Sequence, residues 1–307
     1  MEYVLQAREL VKSYRGARVL NGVSMNIRRG DIYGFVGENG SGKTTVIRLI
    51  TGLIYADSGE FSLFGVKSGD PAIRAARARV GAIVEAPSIY LNFSAKENLL
   101  MQSGILGKRD EKKCKEILET VGLGELWDNR KNAGNFSLGM RQRLGIAMAL
   151  LGDPEFIILD EPMNGLDPSG IVEIRELILR LNREKGITFL ISSHILTELS
   201  LVATRYGIIS RGKILQEISA EELAGVCLHS TEIKAEDPVA LEALLAETFD
   251  KKNLSPIGGG VRVEGEVDLN EVLGKIIAAG IRITSVNTYH SGIEDYYLSM
   301  TGGGHRA

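Results

Sequence analysis

Cysteine, an excess of positive charge and long apolar runs are what this sequence lacks, and each absence removes a class of function. Cys114 and Cys227 are the two cysteines in 307 residues, too few and too far apart for a disulfide framework or a thiolate metal site. Cys114 shares a helical face with Ile117, Leu118 and Val121, the place of a core thiol, and the pattern as a whole suits a reducing cytoplasm. Lysine and arginine number 36 against 39 aspartates and glutamates, a net charge of −3 that offers no basic field to nucleic acid. No apolar stretch approaches the roughly 20 residues needed to cross a bilayer, and Met1-Glu2-Tyr3 does not open a signal peptide. Any membrane attachment is therefore expected to come through a partner protein. With 44% apolar residues, the chain is long enough for two domains, the first with a large core.

What is present begins at Gly37. The run Gly37-Glu38-Asn39-Gly40-Ser41-Gly42-Lys43-Thr44 has two glycines five apart followed by Lys and Thr, the P-loop pattern, and Thr45 continues it. Ile32 to Val36 before it reads as a buried strand, and Thr44 to Thr51 after it as a helix stopped by Gly52. Glycine lets such a loop turn successive backbone N–H groups toward the phosphates of a nucleoside triphosphate, and the helix N-terminus adds its positive dipole end. Lys43 is placed to reach the β- and γ-phosphates and Thr44 to ligate Mg²⁺. Downstream, Phe156-Ile157-Ile158-Leu159-Asp160-Glu161 is an apolar strand delivering two carboxylates at its C-terminal edge, where ligands bind in open α/β sheets. Such a run alone is more often an ordinary strand end; the P-loop upstream decides for function. Asp160 is expected to hold the Mg²⁺ through water, and Glu161 to orient and deprotonate the attacking water.

Between these two segments lies Asn135-Phe136-Ser137-Leu138-Gly139-Met140-Arg141-Gln142-Arg143-Leu144; after them come Asn164-Gly165-Leu166-Asp167 and Ile191-Ser192-Ser193-His194. In this order the segments resemble the nucleotide-binding subunits of ATP-binding cassette (ABC) transporters, over about residues 2 to 220. The resemblance implies a MgATP-dependent ATPase whose phosphates lie on residues 37 to 45. It gives Tyr14 to stacking on adenine, although by itself that residue reads as a surface tyrosine on a hairpin. It makes Ser137 and Gly139 the start of a helix aimed at the γ-phosphate held by an opposite subunit. Asp167 would link the two sites; with Pro168 behind it, it also reads as an N-cap, and both roles can hold. His194 would hydrogen-bond the γ-phosphate. His229, His290 and His305 lack such context and read as surface residues.

Two departures from the family pattern stand out. Leu138 and Met140 replace the first glycine and the glutamine of the usual signature, while Ser137 and Gly139, which approach phosphate, are kept. Where the family places a glutamine after the strand Val80-Gly81-Ala82-Ile83-Val84, this chain has Glu85. An ionised carboxylate only accepts hydrogen bonds and carries a full charge, so Glu85 should favour the metal and disfavour the phosphate. Glu85 followed by Ala86-Pro87-Ser88-Ile89-Tyr90 resembles the variant loop of exporters that protect bacteria from bacitracin and lantibiotics, a subgroup that also tends to carry a C-terminal extension. Glu85 is then either a mechanistic change or a mark of lineage.

The fold expected is α/β: a P-loop NTPase, ABC-type cassette over residues 1–225, with a helical subdomain at about 87–153, and a small C-terminal α+β accessory domain over 226–307. Residues 3 to 84 read as short strands around the P-loop helix, with hairpin breaks at Arg15-Gly16 and Arg29-Gly30. Ser94-Ala95-Lys96-Glu97 is a capping box, and Asp110 and Ser137 start the next helices. Lys112, Lys113 and Lys115 read as a solvated helix face. Strand and helix alternate from Phe156 to Ile209, a parallel sheet covered on both sides, and Ser219-Ala220-Glu221-Glu222 caps a connecting helix ending at Gly225. Beyond Ser230 the order is strand (Thr231 to Ala235), helix (Pro238 to Phe249), strand (Gly260 to Val267), a helix capped at Asp268-Leu269-Asn270-Glu271, and strand (Arg282 to Thr288), an order of which the ferredoxin-like arrangement is one form. That region holds no cluster suited to chemistry, so regulation, dimer support and partner contact all stay open for it. Glu294-Asp295-Tyr296-Tyr297-Leu298 resembles the family's C-terminal segment, and residues 302 to 307 are expected to be disordered.

Together these features imply a chain that works as two copies, with Ser137 of each completing the other's MgATP site, and that drives integral-membrane permease subunits from the inner face of the membrane. It would be an exporter subunit with no nucleic acid partner. A soluble ABC ATPase usually carries two cassettes or a coiled-coil insert, neither of which is present; a module that only holds ATP would not need Lys43, Asp160, Glu161 and His194 together.

Overall fold

The structure, a computed structural model, describes residues 2–300 apart from 108, 227–228, 251–252, 266, 291–295 and 298–299. The readings made above for Cys227, His305, Glu294, Asp295, Leu298 and the 302–307 tail lie outside the described residues, as do those for the side chains of His229 and His290. The chain divides into two compact units, Met1–Ala220 and Glu221–Ala307.

In the first unit the chain opens with β1 (Tyr3–Tyr14) and β2 (Ala17–Arg28), joined by a two-residue turn in which Arg15 and Gly16 both have positive φ. Then follow β3 (Ile32–Val36), α1 (Lys43–Thr51), β4 (Ser58–Leu63), β5 (Val66–Lys67), α2 (Ile73–Arg77) and β6 (Val80–Ile83). α3 (Ala95–Ile105), α4 (Glu111–Thr120) and α5 (Leu138–Leu150) form the helical segment. β7 (Phe156–Asp160), α6 (Pro168–Lys185), β8 (Thr188–Ser193), α7 (Leu196–Leu199), β9 (Arg205–Ser210), β10 (Lys213–Ser219) and α8 (Ala220–Val226) complete the order, α8 running across the boundary between the units.

The strands make two sheets. β2-β1-β4-β5 is antiparallel; β10-β9-β3-β8-β7-β6 is parallel except for the β9–β10 pair at its edge. Every residue of β3, β7 and β8 is buried, as expected of parallel strands covered on both faces, which is why these three read as unbroken apolar runs. The core contains Phe35, Ile47, Ile50 and Ile158 from the P-loop side and Leu5, Met25 and Leu63 from the antiparallel sheet. Each expected helix start is present: Ser94 and Glu97 form the capping box of α3, Asp110 accepts from Lys113 N at 3.0 Å, and Ser137 from Met140 N at 3.2 Å. Cys114 is fully buried with Ile117 and Leu118 on α4.

Several elements of the first unit differ from the sequence reading, among them the turn at Arg29-Gly30, which is no hairpin because β2 and β3 belong to different sheets. β1 and β2 are twelve residues each and not short, because bulges in their pairing, one with Glu9 at φ 49, interrupt the period-two alternation by which strands are recognised. β10 adds an antiparallel edge to the parallel sheet. On α4, Lys113 is ion-paired with Asp153 and about a quarter exposed, so that it is not part of the solvated face on which Lys112 stands.

The second unit runs β11 (His229–Ala235), α9 (Pro238–Thr248), β12 (Leu254–Ile257), β13 (Gly260–Glu264), α10 (Leu269–Ala278) and β14 (Ile283–His290). Its sheet order, β12-β13-β11-β14 with all pairs antiparallel, is the ferredoxin-like one. Ile233, Val261 and Val263 pack against Leu241, Leu245, Val272 and Ile276 of the two helices. β12 escaped the sequence reading: it has four residues, one of them Pro256, which is tolerated only because the strand lies at the edge.

Candidate active site

The P-loop leaves the C-terminal end of β3 and enters α1, and its glycines are needed where they stand. A Cβ on Gly37 would lie 2.4 Å from the Ile209 carbonyl oxygen, and Gly40 and Gly42 have φ of +81° and +113°. Lys43, 6% exposed, donates from Nζ to the carbonyls of Gly37 at 2.6 Å and Glu38 at 3.3 Å, and faces Oε1 of Glu161 at 3.4 Å. The Ser41 hydroxyl is buried with no hydrogen-bond partner among the described residues. A buried orphan hydroxyl in a cradle of backbone N–H groups suits the oxygen of a phosphate.

At the neighbouring strand ends the two acids have separate tasks. Asp160, 2% exposed, accepts from Thr44 Oγ1 at 2.9 Å through one oxygen and from Ser192 Oγ at 2.5 Å through the other. Ser192 is the functional residue that the motifs missed. Its hydroxyl and its carbonyl also receive the backbone N–H of Glu161, at 3.0 and 3.1 Å, so one buried serine orients both acids. Asp160 pairs directly with Ser192 across β7 and β8, so aligning the two strand ends would have found it. Glu161 itself sits at φ +50°, a left-handed conformation that turns its side chain away from the strand direction. Its Oε2 accepts from Nδ1 of His194 at 2.8 Å. Lys43, Glu161 and His194 thus form one chain of contacts, with Thr44, Asp160 and Ser192 forming a second beside it.

Other expected residues are placed as follows. Glu38, Asn39, Gly40, Gly42, Lys43, Thr44, Thr45 and Glu161, with Val19, line a cleft of about 180 Å³. Tyr14 is not in that lining; it stands 40% exposed at the end of β1 with the Lys12 ammonium 5.7 Å from its ring centre. Ser137 caps α5, and Gly139 lies beside Leu166 and Gly170, which brings the signature segment onto the loop that ends at Asp167. Asp167 caps α6, accepting from Gly170 N at 3.3 Å and Ser169 Oγ at 2.7 Å; the Ser169 bond leads in holding its carboxyl below the usual range. The substituted Leu138 is 47% exposed, and its tip lies close over Gly165. Glu85 does not join Thr44 and Asp160: it is largely exposed, at φ +64°, and its carboxylate is ion-paired with Arg48 on the last turn of α1. A metal role for Glu85 would require it to leave that arginine.

A larger cleft of about 690 Å³ lies elsewhere, between α4 and the start of β7 and β8. Within it Glu155 holds Arg29 at 2.7 Å and Arg79 at 2.6 Å, and Lys113 holds Asp153.

Comparison with known proteins agrees with this geometry. The family model described as ABC transporter matches residues 20–164. The bacitracin transport ATP-binding protein BcrA of Bacillus licheniformis is 40% identical over 309 residues, covering 99% of both chains. This chain belongs to the ABC transporter family. It is an ATP-binding ABC subunit and an ATPase. The lantibiotic transport ATP-binding protein SrtF of Streptococcus pyogenes is 42% identical over 214 residues, 70% of this ABC chain and 90% of SrtF. Among solved structures, cbiO1 of Clostridium perfringens, described as part of the ABC transporter complex cbiONQ, matches at a TM-score of 0.66 and 26% identity, over 73% of this chain and 92% of its own. An ABC transporter cassette in its ADP conformation matches at a TM-score of 0.64 and 29% identity, over 72% and 93% of the two chains. No helix among the described residues is long and apolar enough to cross a membrane.

Proposed function

We propose that this ABC ATPase powers a membrane exporter of a peptide antibiotic of the bacitracin type or another amphipathic compound. The ATPase part of the reading is supported by the pair of contact chains that join the P-loop to two strand ends, Lys43–Glu161–His194 and Thr44–Asp160–Ser192, and the transport part by the likeness to BcrA and SrtF. The cargo class rests on the length of the likeness: BcrA matches through the second unit, whereas the SrtF match covers 70% of this chain.

ATP lies with its phosphates on Gly37 to Thr45 and its adenine toward Tyr14. Lys43 exchanges the Gly37 and Glu38 carbonyls for the β- and γ-phosphates, which frees Glu161 from its cation. Thr44 would ligate Mg²⁺ and Asp160 would hold it through water, the phosphates supplying the rest; among the described residues no group of three or more His, Cys, Asp or Glu could hold a metal by itself. When bound, the ion spreads the charge that develops on the transferred phosphoryl group. Glu161 then takes the proton of the attacking water, and His194 hydrogen-bonds the γ-phosphate.

The 180 Å³ cleft is too small to enclose a nucleotide, since enclosing pockets run to roughly 300–1,000 Å³. A second copy supplies the missing wall, with its Ser137, Gly139 and Asp167, and ATP joins the two. Edge strand β6 borders a groove of about 310 Å³ that includes Ile83, Pro87, Leu106 and Met148. There, beside Glu85, the permease docks on the inner face of the membrane, and the opening of the ATP-bound pair moves it.

The test is to tag this chain, solubilise membranes of its host in mild detergent and identify what copurifies with and without ATP. A polytopic membrane protein in stoichiometric amount is expected. A ribosomal or other soluble partner in its place would overturn the transport reading and leave the ATPase standing.

A further inference from the structure

On β1, Lys12 and Tyr14 are two residues apart and so stand on the same face of the strand. The Lys12 ammonium lies 5.7 Å from the Tyr14 ring centre, within the reach at which an aromatic face holds a cation. A lysine on an open sheet swings on its four-carbon stem, and a swinging cation fixes nothing. This one is held. Asp57, just ahead of β4, accepts from Lys12 Nζ at 2.8 Å through one oxygen and from Ser13 N at 2.6 Å through the other. Its own N–H donates to the Val11 carbonyl at 2.8 Å, so Asp57 grips three consecutive residues of β1. The lysine side chain is accordingly only 17% exposed.

The register of β1 and β2 sets this assembly against the phosphate cleft. Lys12 pairs with Leu20 and Ser13 with Arg18, so Val19 is the extra residue of a bulge between those two rungs. Val19 also belongs to the wall of the phosphate cleft. The cleft therefore meets the hairpin at the level of Lys12, and Tyr14 lies two residues, about 7 Å, further toward the turn. Tyr14 keeps much of its surface open, and among the described residues no second ring or cation lies on it.

We propose that Lys12, fixed by Asp57, is a positioning residue for the base of the nucleotide: its ammonium covers one face of Tyr14 and leaves the other to adenine. The inference rests on the pose given above, in which adenine lies toward Tyr14. Two effects act together. Covering one face confines the ring, so less freedom is lost when a base stacks on it. The cation also draws π density toward itself, which makes the far face less negative to an electron-rich base. Because the ammonium is committed to Asp57 and Tyr14, it serves the binding of the base and leaves the hydrolytic step alone.

The full chain is compared with Lys12→Met, Lys12→Arg, Asp57→Asn and Tyr14→Ala by titration calorimetry and steady-state ATPase. The calorimetric ligands are a non-hydrolysable ATP analogue and inorganic tripolyphosphate, each with Mg²⁺, the second carrying phosphates without a base. Lys12→Met should weaken the analogue about two- to fivefold, the size of an exposed cation–π contact, and leave tripolyphosphate unchanged. KM for ATP should rise by the same factor at constant kcat. Lys12→Arg, which keeps the cation, should recover the binding, and Asp57→Asn, which frees the lysine, should share the base-selective loss. Wild-type affinity for the analogue in Lys12→Met overturns the proposal. So does an equal loss for the analogue and for tripolyphosphate, which is what general damage to the sheet would give. Tyr14→Ala keeps the two assignments apart. Unchanged analogue binding in that variant refutes the adenine pose and the role of Lys12 with it, whereas a loss there without one in Lys12→Met refutes Lys12 alone.

Discussion

Removing the Ser192 hydroxyl should loosen Asp160 while leaving the phosphate cradle whole, because Ser192 touches the acids and Lys43 and the P-loop backbone hold the phosphates. Ser192→Ala is therefore expected to raise the Mg²⁺ concentration needed for half-maximal rate and to lower kcat, each by roughly tenfold, the usual effect of an outer partner, with ATP affinity little changed; titrating ATPase against Mg²⁺ checks it. Glu161→Gln should cut turnover by about 10²–10⁴-fold and keep ATP bound, since the amide retains the shape and loses the base; single-turnover hydrolysis beside a filter-binding measurement separates the two effects. Glu85→Gln bears on the family departure. The exposed pair with Arg48 contributes no more than about 1 kcal/mol, so stability and ATP binding should survive while coupled transport changes. An unaltered transport phenotype would make Glu85 a lineage mark.

Among the elements, β7 depends on Glu155 just before it. Hydrogen bonds from Arg79 and Arg29 bring that carboxyl down to about 2, and they tie the start of β7 to the chain ahead of β6 and of β3. A carboxyl depressed in the folded state adds stability above its unfolded value, near 4.5, and that stability is lost as the pH falls toward 2. Glu155 is 37% exposed, so screening reduces the effect to about 1 kcal/mol. Urea unfolding of wild type and Glu155→Gln should differ by that amount at neutral pH and converge between pH 4.5 and 2. Ser94→Ala, which removes the capping box of α3, should cost about 1 kcal/mol without altering ATP hydrolysis at the site.

For the whole molecule, the shallow P-loop cleft makes association the decisive property. Glu161→Gln with MgATP should run as a dimer in light scattering after gel filtration and return to monomer when ADP replaces ATP. A monomer under both conditions would contradict the shared site. Leu138 sharpens the prediction: half-exposed at the start of α5 and resting over Gly165, it puts an apolar side chain beside the two segments expected to face the second copy. Leu138→Gly should thus weaken ATP-driven dimerisation more than ATP binding to one chain.

The local chemistry of this protein was legible without coordinates wherever the needed residues are neighbours in sequence. The P-loop, the acidic strand end, the helix caps at Ser94, Asp110, Ser137 and Asp167, and most of the second unit's elements depend on spacings of a few residues, which propensity and hydrogen bonding over one turn dictate. Contacts across many residues were not legible. Ser192 reaches Asp160 only through the register of two parallel strands 32 residues apart, and Arg48 meets Glu85 across 37 residues. Bulges hid the length of β1 and β2, and a proline at a sheet edge hid β12. The sequence by itself determined the chemistry available, because a phosphate cradle, a base and a histidine are written as side chains and turns. Tertiary structure alone decided which carboxylate holds which partner, because a side chain's reach is a few ångströms and only folding brings distant strand ends within it.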